Sequence, residues 1–303
     1  RNFLAFEDAY SCNLDDSARK GININVADFP YLWIFGDGGT GYYPTYKGDT
    51  FLIAGTGCIW GGGASDYDAV TEIILNSQSL NTNFTDNFFM DFYNIEKVGL
   101  HENPSITVLE TNQLSKVEEI RVYGTDLSLF DASTLLKAKL IYCYNTNITD
   151  LNLTNCSDLI DLRCFNTNIN SLDLDNNLNL EILSAFDLDL SSINLINNVK
   201  LKEIYVSNTN LNSLNVNFNI LLNTIIASDC NITSFSLVSN TLAKTIRLQN
   251  NQLNAAVNSQ ILIDLDTHGL SNGIFRGSIF GGGTLTTAGA TAKANLQGKG
   301  WTI

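Results

Sequence analysis

The stretch Leu159-Ile160-Asp161-Leu162-Arg163-Cys164-Phe165-Asn166-Thr167-Asn168-Ile169 decides the fold, because its pattern returns at a fixed step of 21 residues. Apolar residues equivalent to Leu162 occur in both directions along the chain, at Ile120, Ile141, Leu183, Ile204, Ile225 and Ile246. The regular pattern covers residues 117–253 in six equal steps without an insertion. A fixed period of this length is typical of a solenoid, in which each unit packs against its two neighbours.

Within one unit, the apolar residues alternate with the period of a β-strand. Leu162 and Cys164 are predicted to point into a core, and Arg163 and Phe165 to point away from it. A second apolar pair follows in each unit, but 21 residues leave no room for a full helix there, so we expect an extended segment or a tight turn. A single unit cannot bury its own apolar face, and stacked units about 4.8 Å apart bury it together.

Leu159, Leu162, Cys164, Thr167 and Ile169 match the pattern L-x-x-L-x-L-x-x-[N/C/T]-x-[L/I]. The chain therefore resembles the leucine-rich repeat family in its short bacterial form. The resemblance implies an α/β-type, β-rich solenoid with a parallel sheet. It also implies a binding or recognition protein, often on a bacterial surface, although one fold hosts many activities.

In this family a polar residue follows each strand, turns inward and bonds to the backbone of the bend. The chain has seven residues at this position: Thr125, Thr146, Thr167, Leu188, Thr209, Cys230 and Asn251. Leu188 departs from the pattern, so we expect its turn to lack that hydrogen bond.

Changes in composition and repeat regularity along the sequence predict three regions. Residues 1–66 are rich in aromatic residues and glycine and are interpreted as an N-terminal cap, as an anchor to a larger assembly, or as both. Residues 67–253 form the solenoid, with degenerate repeats over 67–116 and regular ones over 117–253. Residues 254–303 form a helix-strand C-terminal cap.

The C-terminal region has its own predicted elements. We expect a helix over residues 254–269, a strand over 273–280, a helix over 287–297 stopped by Gly298, and a last strand over 301–303. The final ten residues loosely resemble the tails of repeat proteins from Bacteroidetes-type bacteria and their phages. That likeness favours a surface or virion protein.

Composition argues against several functions. The net charge is −14 and the pI about 4.4, whereas nucleic-acid binding needs a basic face. No apolar run reaches the ~18 residues that span a membrane. The chain begins at Arg1 and not at Met, so we expect that a leader was removed or that the sequence is part of a longer chain. Cys143 and Cys164 fall at core positions. Whether Cys12 and Cys58 form a disulfide bond is left open by the sequence.

No pattern of catalytic or metal-binding residues is present. His101 and His268 are the only histidines, and neither belongs to a triad or a metal spacing. The glycine-rich run at residues 36–41 lacks the Gly-Lys-Ser/Thr of a nucleotide loop. Paired carboxylates such as Asp187 and Asp189 are interpreted as a solvated rim. We therefore predict no enzyme, no cofactor and no metal.

Side chains on the outward face of the strands form the candidate binding site. The first row is Arg121, Tyr142, Arg163, Ser184, Tyr205, Ile226 and Arg247, and the second is Tyr123, Tyr144, Phe165, Phe186, Ser207, Ser228 and Gln249. A polar row runs beside them: Asn145, Asn166, Asp187, Asn208, Asp229 and Asn250. The predicted ligand-binding residues are Arg121, Tyr123, Tyr142, Tyr144, Arg163, Phe165, Phe186, Tyr205 and Arg247.

Four consecutive aromatic residues in the second row predict an aromatic ladder that binds sugar rings or apolar side chains. The other interpretation is that the rings only stabilise neighbouring strands. Our first hypothesis is a non-enzymatic recognition or adhesion module, extracellular or on a cell surface or virion. It would bind a surface glycan or protein through a concave strand face. The alternative is a structural component of a virion or surface fibre, docking on a scaffold through residues 1–66.

Overall fold

The computed structural model describes residues 94–303 and, before them, the backbone of six short strands. These are β1 (Ile22–Ile24), β2 (Tyr31–Trp33), β3 (Pro44–Tyr46), β4 (Thr50–Ala54), β5 (Gly57–Gly61) and β6 (Glu72–Ile74). The core predicted for residues 1–66, the Cys12–Cys58 pair and the first degenerate repeats lie outside the described side chains. The cap and anchor interpretations therefore stay predictions.

Nine strands follow within residues 94–303 and lie side by side in chain order. They are β7 (Lys97–Gly99), β8 (Glu119–Arg121), β9 (Leu140–Tyr142), β10 (Asp161–Arg163), β11 (Ile182–Ser184), β12 (Glu203–Tyr205), β13 (Thr224–Ile226), β14 (Thr245–Leu248) and β15 (Ile274–Gly277). Every neighbouring pair is parallel, and β6 and then β2 continue the sheet beyond β7. Leu162 pairs with Ile141 on one side and Leu183 on the other, as the 21-residue step predicts. The predicted parallel-sheet solenoid is confirmed.

The inward residues of the strands form one continuous core. Ile141, Leu162 and Cys164 are fully buried, which confirms the predicted register. The second apolar pair, Leu172 and Leu174, is also buried, but it belongs to no strand. Two consecutive tight turns follow it, closed by bonds from the Asn177 amide to the Leu174 carbonyl and from the Leu180 amide to the Asn177 carbonyl, each 3.1 Å. Tight turns thus return the chain to the next strand.

The threonines at the polar position after the strands behave as predicted. Thr125 and Thr146 donate hydrogen bonds of 2.7 Å to the carbonyl three residues earlier, and Thr167 and Thr209 donate equivalent bonds of 2.9 Å. Leu188 is buried with 3% of its surface exposed and has no group that could donate to the Ala185 carbonyl.

A column of buried asparagines, which was not predicted from the sequence, joins the later units. Its members share one position in the repeat: Asn177, Asn198, Asn219 and Asn240, all with no exposed surface. Asn198 is representative, because its side-chain amide donates to the carbonyls of Leu174 and Asn177, both at 3.0 Å. Each such side chain bonds two carbonyls of the preceding unit, so the column ties the units together along the axis.

Two helices and a strand follow the last regular repeat. Helix α1 (Ala255–His268) begins at Asn254, whose side chain accepts from the Val257 amide, and ends at Gly269 in the left-handed conformation with φ 74°. Ile261, Leu262 and Leu265 of α1 are buried in the common core. The first predicted helix is confirmed, and the capping role stays a prediction.

Two details of the C-terminal prediction were wrong. Helix α2 (Thr287–Gly298) includes Gly298 and ends at Lys299, since the amide of Lys299 still bonds to helical carbonyls. The last residues form no strand, because only Thr302 makes a bridge, to Ile274. Neither helix of the described part is long and apolar enough to cross a membrane.

Candidate binding face

The aromatic ladder is present on the outward face and is one ring longer than predicted. Tyr123, Tyr144, Phe165 and Phe186 stack in sequence, with ring centroids 4.3, 4.3 and 4.1 Å apart. His101 extends the stack at 4.4 Å from Tyr123. His101 was not predicted to join the ladder, because 22 residues separate it from Tyr123 whereas the regular step is 21.

Stacking decides which part of each ring a ligand can reach. The planes of neighbouring rings differ by 8° to 23°, so the rings lie nearly face to face. Tyr123, Tyr144 and Phe165 each have a ring on both sides, and all three side chains are only partly exposed. A planar group cannot stack on these covered faces, and the ladder therefore offers ring edges along most of its length.

The first row is organised around Asp161, which lies on β10 with 7% of its side chain exposed. Arg163 donates to both of its carboxylate oxygens, at 3.1 and 2.9 Å, and the Tyr142 hydroxyl donates to Oδ2 at 2.7 Å. The Arg163 guanidinium also lies 4.6 Å from the centre of the Tyr142 ring, and that of Arg121 lies 5.6 Å from it. These contacts hold two of the predicted site residues in fixed orientations.

The remaining residues of the first row differ in their partners. Arg121 pairs with Glu119 at 2.6 Å, and the Tyr205 hydroxyl donates to Glu203 at 2.7 Å. Arg247 makes no ion pair within residues 94–303, and its Nε is buried without a partner. Arg247 is thus the predicted site cation that keeps its charge available.

Burial changes the acidity of several groups on this face. It raises the pKa of Tyr142 to about 12, with a further contribution from the hydrogen bond to Asp161. It raises the pKa of Tyr205 to about 12, where the bond to Glu203 adds to it. For Tyr144 the pKa is also raised to about 12, first by burial and then by Tyr123. These three hydroxyls are therefore neutral at physiological pH.

The pKa of His101 is lowered from 6.5, first by burial. Nearby Arg121 lowers this pKa further, and Glu102 opposes the shift. The ring at the end of the ladder is therefore held in its neutral form.

The polar row beside the ladder has a structural origin that was not predicted from the sequence. Its six members adopt left-handed backbone conformations, with φ between 52° and 58°. Asparagine and aspartate tolerate this conformation better than other residues with side chains. Asn208 donates to Asp187 at 2.6 Å and Asn250 to Asp229 at 2.7 Å, so neighbouring members also pair.

A shallow polar groove of about 490 Å³ runs along this row and is lined by residues such as Asp187, Asp189, Asn208 and Asn210. Within residues 94–303, no group of three or more histidine, cysteine, aspartate or glutamate side chains is arranged to hold a metal ion. The carboxylates Asp187 and Asp229 instead accept hydrogen bonds from neighbouring asparagines.

Solved structures with the same architecture are leucine-rich repeat proteins. The functional domain of InlJ from Listeria monocytogenes, which includes a cysteine ladder, matches with a TM-score of 0.52 at 16% identity, over 69% of this chain and 50% of that one. The octameric complex of Latrophilin 3, Unc5D and FLRT2 (LRR) matches with a TM-score of 0.53 at 17% identity, over 78% of this chain and 69% of that one.

The TLR13–ssRNA13 complex matches with a TM-score of 0.53 at 16% identity, over 67% of this chain and 33% of that one. No family model matches the sequence. No curated protein matches it either. The comparisons establish a leucine-rich-repeat solenoid as the fold of this chain, in agreement with the sequence pattern.

Proposed function

We propose that this chain is a non-enzymatic recognition module that binds a protein partner through its outward sheet face, with the aromatic ladder at the centre of the contact. The observation that carries the proposal is the continuous stack of five partly exposed rings, His101, Tyr123, Tyr144, Phe165 and Phe186. Aromatic and arginine side chains supply most of the binding energy in protein interfaces.

The orientation of the rings favours a protein over a glycan. Sugar binding by stacking needs free ring faces, and the inner faces of the ladder are covered by neighbouring rings. Ring edges carry partial positive charge and suit the carbonyl oxygens and aromatic faces of a protein. In addition, the hydroxyls of Tyr142 and Tyr205 already donate within the chain, which leaves fewer donors for sugar hydroxyls.

The proposed partner is a protein on a cell surface, and the proposed location is extracellular, on a bacterial surface or a virion. Support comes from the repeat pattern and from the tail of the chain, which loosely resembles the tails of repeat proteins from Bacteroidetes-type bacteria and their phages. The FLRT2 match is a structure in complex with other proteins, which is compatible with this role. The TLR13 match contains RNA, but a net charge of −14 disfavours a nucleic-acid partner here.

The test is binding of the purified chain to bacterial and host-cell envelopes, each intact, protease-treated or periodate-treated. Periodate destroys sugars and leaves most protein. The variant Tyr144→Ala/Phe165→Ala removes the centre of the ladder, and Leu129→Ala/Leu136→Ala is its control, since both leucines are exposed and lie outside the strands and the candidate site. We expect binding that protease and the ladder variant abolish, and that periodate and the control leave intact.

A loss of binding must not result from unfolding of the variant. The melting curve of each variant is therefore first compared with that of the native chain. If the double variant melts early, Phe186→Lys replaces it, because Phe186 ends the ladder and has one stacking neighbour. Binding that survives both ladder variants would overturn the proposal. Binding that periodate abolishes and protease does not would instead favour a glycan ligand.

The alternative of a structural component depends on residues 1–66, whose side chains lie outside the described part. It stays a prediction. Binding to a scaffold that is lost on changes within residues 1–66, and kept in the ladder variants, would favour it.

A further inference from the structure

A second surface of the solenoid, the flank formed by the turns that precede the strands, exposes an unusual amount of apolar side chain. Four successive turns contribute, at residues 175–179, 196–200, 217–221 and 238–242. The exposed side chains are Leu178 (53%), Ile196 (47%), Val199 (49%), Phe218 (50%), Ile220 (54%), Leu221 (38%), Val238 (64%) and Leu242 (48%). We name this surface the apolar flank.

Part of the apolar flank repeats from unit to unit. Leu178, Val199 and Ile220 occupy one position of the repeat, at steps of 21 residues, and successive units lie about 4.8 Å apart. Half-exposed side chains of this size leave roughly 700 Å² of apolar surface, above the about 300–600 Å² of the largest patch on a typical monomer.

The fold itself does not require these residues. Ser157 occupies the equivalent position one unit before Leu178, and Thr241 occupies it one unit after Ile220. Both lie in turns of the same kind, and both are exposed to solvent. Apolar side chains are therefore concentrated on this part of the flank for a reason other than the backbone.

We propose that the apolar flank binds a second copy of this chain in an antiparallel, two-fold symmetric dimer. Its area is close to the about 800 Å² that each partner contributes to a standard interface. A two-fold contact uses the same patch on both copies, so it buries both apolar flanks at once and closes without leading to a fibre.

Charges at the two ends of the apolar flank fit this arrangement. Asp175 is exposed at the first turn, and Lys244 is exposed just after the last turn. Lys244 makes no ion pair within residues 94–303. An antiparallel pair places the first turn of one copy against the last turn of the other, which brings Asp175 of each copy towards Lys244 of its partner. A parallel arrangement would place like charges together, at a cost.

The dimer is independent of the proposed function, because the apolar flank shares no residue with the outward sheet face. A dimer formed through it leaves both sheet faces open and presents two copies of the recognition surface, which would raise the apparent affinity for a multivalent surface.

The experiment is sedimentation equilibrium of the full chain over micromolar to sub-millimolar concentrations. Val199→Ser/Ile220→Ser introduces the residue that Ser157 already shows to be compatible with this turn. Leu136→Ser is the matched control, since Leu136 occupies the same repeat position, is 47% exposed and lies outside the apolar flank. We expect a dimer for the native chain and the control. For the double variant we expect a dimer dissociation constant that is at least about tenfold higher.

A charge exchange tests the orientation. Asp175→Lys should weaken the dimer, and Asp175→Lys combined with Lys244→Asp should restore it. A chain that is monomeric at all concentrations, or a dimer that the double serine variant leaves unchanged, overturns the proposal. The proposal is also overturned if the chain is monomeric and binds lipid vesicles or another protein. If the double variant lowers the melting temperature, Phe218→Ser takes its place.

Discussion

Asp161 and Arg163 lie two residues apart on β10 and form a two-pronged ion pair on the outward face, with distances of 3.1 and 2.9 Å. The Tyr142 hydroxyl of the neighbouring strand donates a third bond to the same carboxylate. Asp161 is 7% exposed and Arg163 is 40% exposed, so a buried anion is compensated by a cation that still reaches solvent. This cluster fixes the positions of two predicted binding residues beside the ladder.

Replacing the carboxylate tests that cluster. Asp161→Asn keeps the shape but leaves the half-buried Arg163 without its counter-charge, and we expect the free energy of unfolding to fall by about 1–3 kcal/mol. The measurement is urea unfolding at neutral pH. Glu119→Gln is the control, since the Arg121–Glu119 pair is more exposed and should contribute below about 1 kcal/mol. Equal losses in the two variants would contradict the assigned role of Asp161.

The position of each ring in the ladder predicts its contribution to stability. Phe165 stacks on two neighbours and Phe186 on one. Phe165→Ala should therefore cost about 1 kcal/mol more than Phe186→Ala, which is the contribution of one aromatic pair beyond its buried area. Denaturant unfolding of both variants measures the difference. If Phe186→Ala proves the more costly, the rings do not stack in solution as they do in the structure.

The fold was predictable because one physical constraint repeats along the chain. Inward residues such as Leu162 alternate with outward ones such as Arg163, and a step of 21 residues places like residues on adjacent strands. The aromatic ladder follows from the same reasoning. Asn177 and Asn198 also recur at this step, so the buried column could have been found, but the abundance of asparagine in the sequence hid it.

Other features of the site depend on local geometry that the 21-residue period does not determine. His101 joins the ladder across a step of 22 residues, because the unit before Tyr123 is one residue longer. The left-handed turn at Asn145 is a backbone property, and Gly124 at the same position in the preceding unit was the available clue. The covering of ring faces depends on side-chain rotamers, which the sequence pattern does not determine.

The terminal ring of the ladder makes stability depend on pH. The pKa of His101 is lower in the folded chain than 6.5, so the unfolded chain binds the proton more readily. The stabilising contribution is complete above the unfolded pKa and is lost as the pH falls through 6.5 towards the folded pKa. Chemical unfolding at about pH 7.5 and 5.5 should show a smaller loss for His101→Phe than for the native chain. An equal loss in both would mean that other groups, such as carboxylates, cause the whole dependence.

Leu188 replaces the polar residue that follows the other regular strands, and Leu188→Asn should be tolerated there. Asn251, at the same position, donates to the carbonyls of Leu248 at 3.0 Å and Ala227 at 2.7 Å. An asparagine at 188 would have Ala185 and Cys164 as the equivalent carbonyls, and each hydrogen bond contributes about 1 kcal/mol.

Those bonds offset the lost apolar burial of Leu188, so thermal or urea unfolding should detect a change within about 1 kcal/mol. The matched control is Leu190→Asn, two residues further on. Leu190 has no exposed surface, and asparagine there would bury an unpaired amide at a cost of about 3 kcal/mol or more. A loss in Leu188→Asn as large as in Leu190→Asn would mean that this turn cannot accept the bonds that its neighbours form.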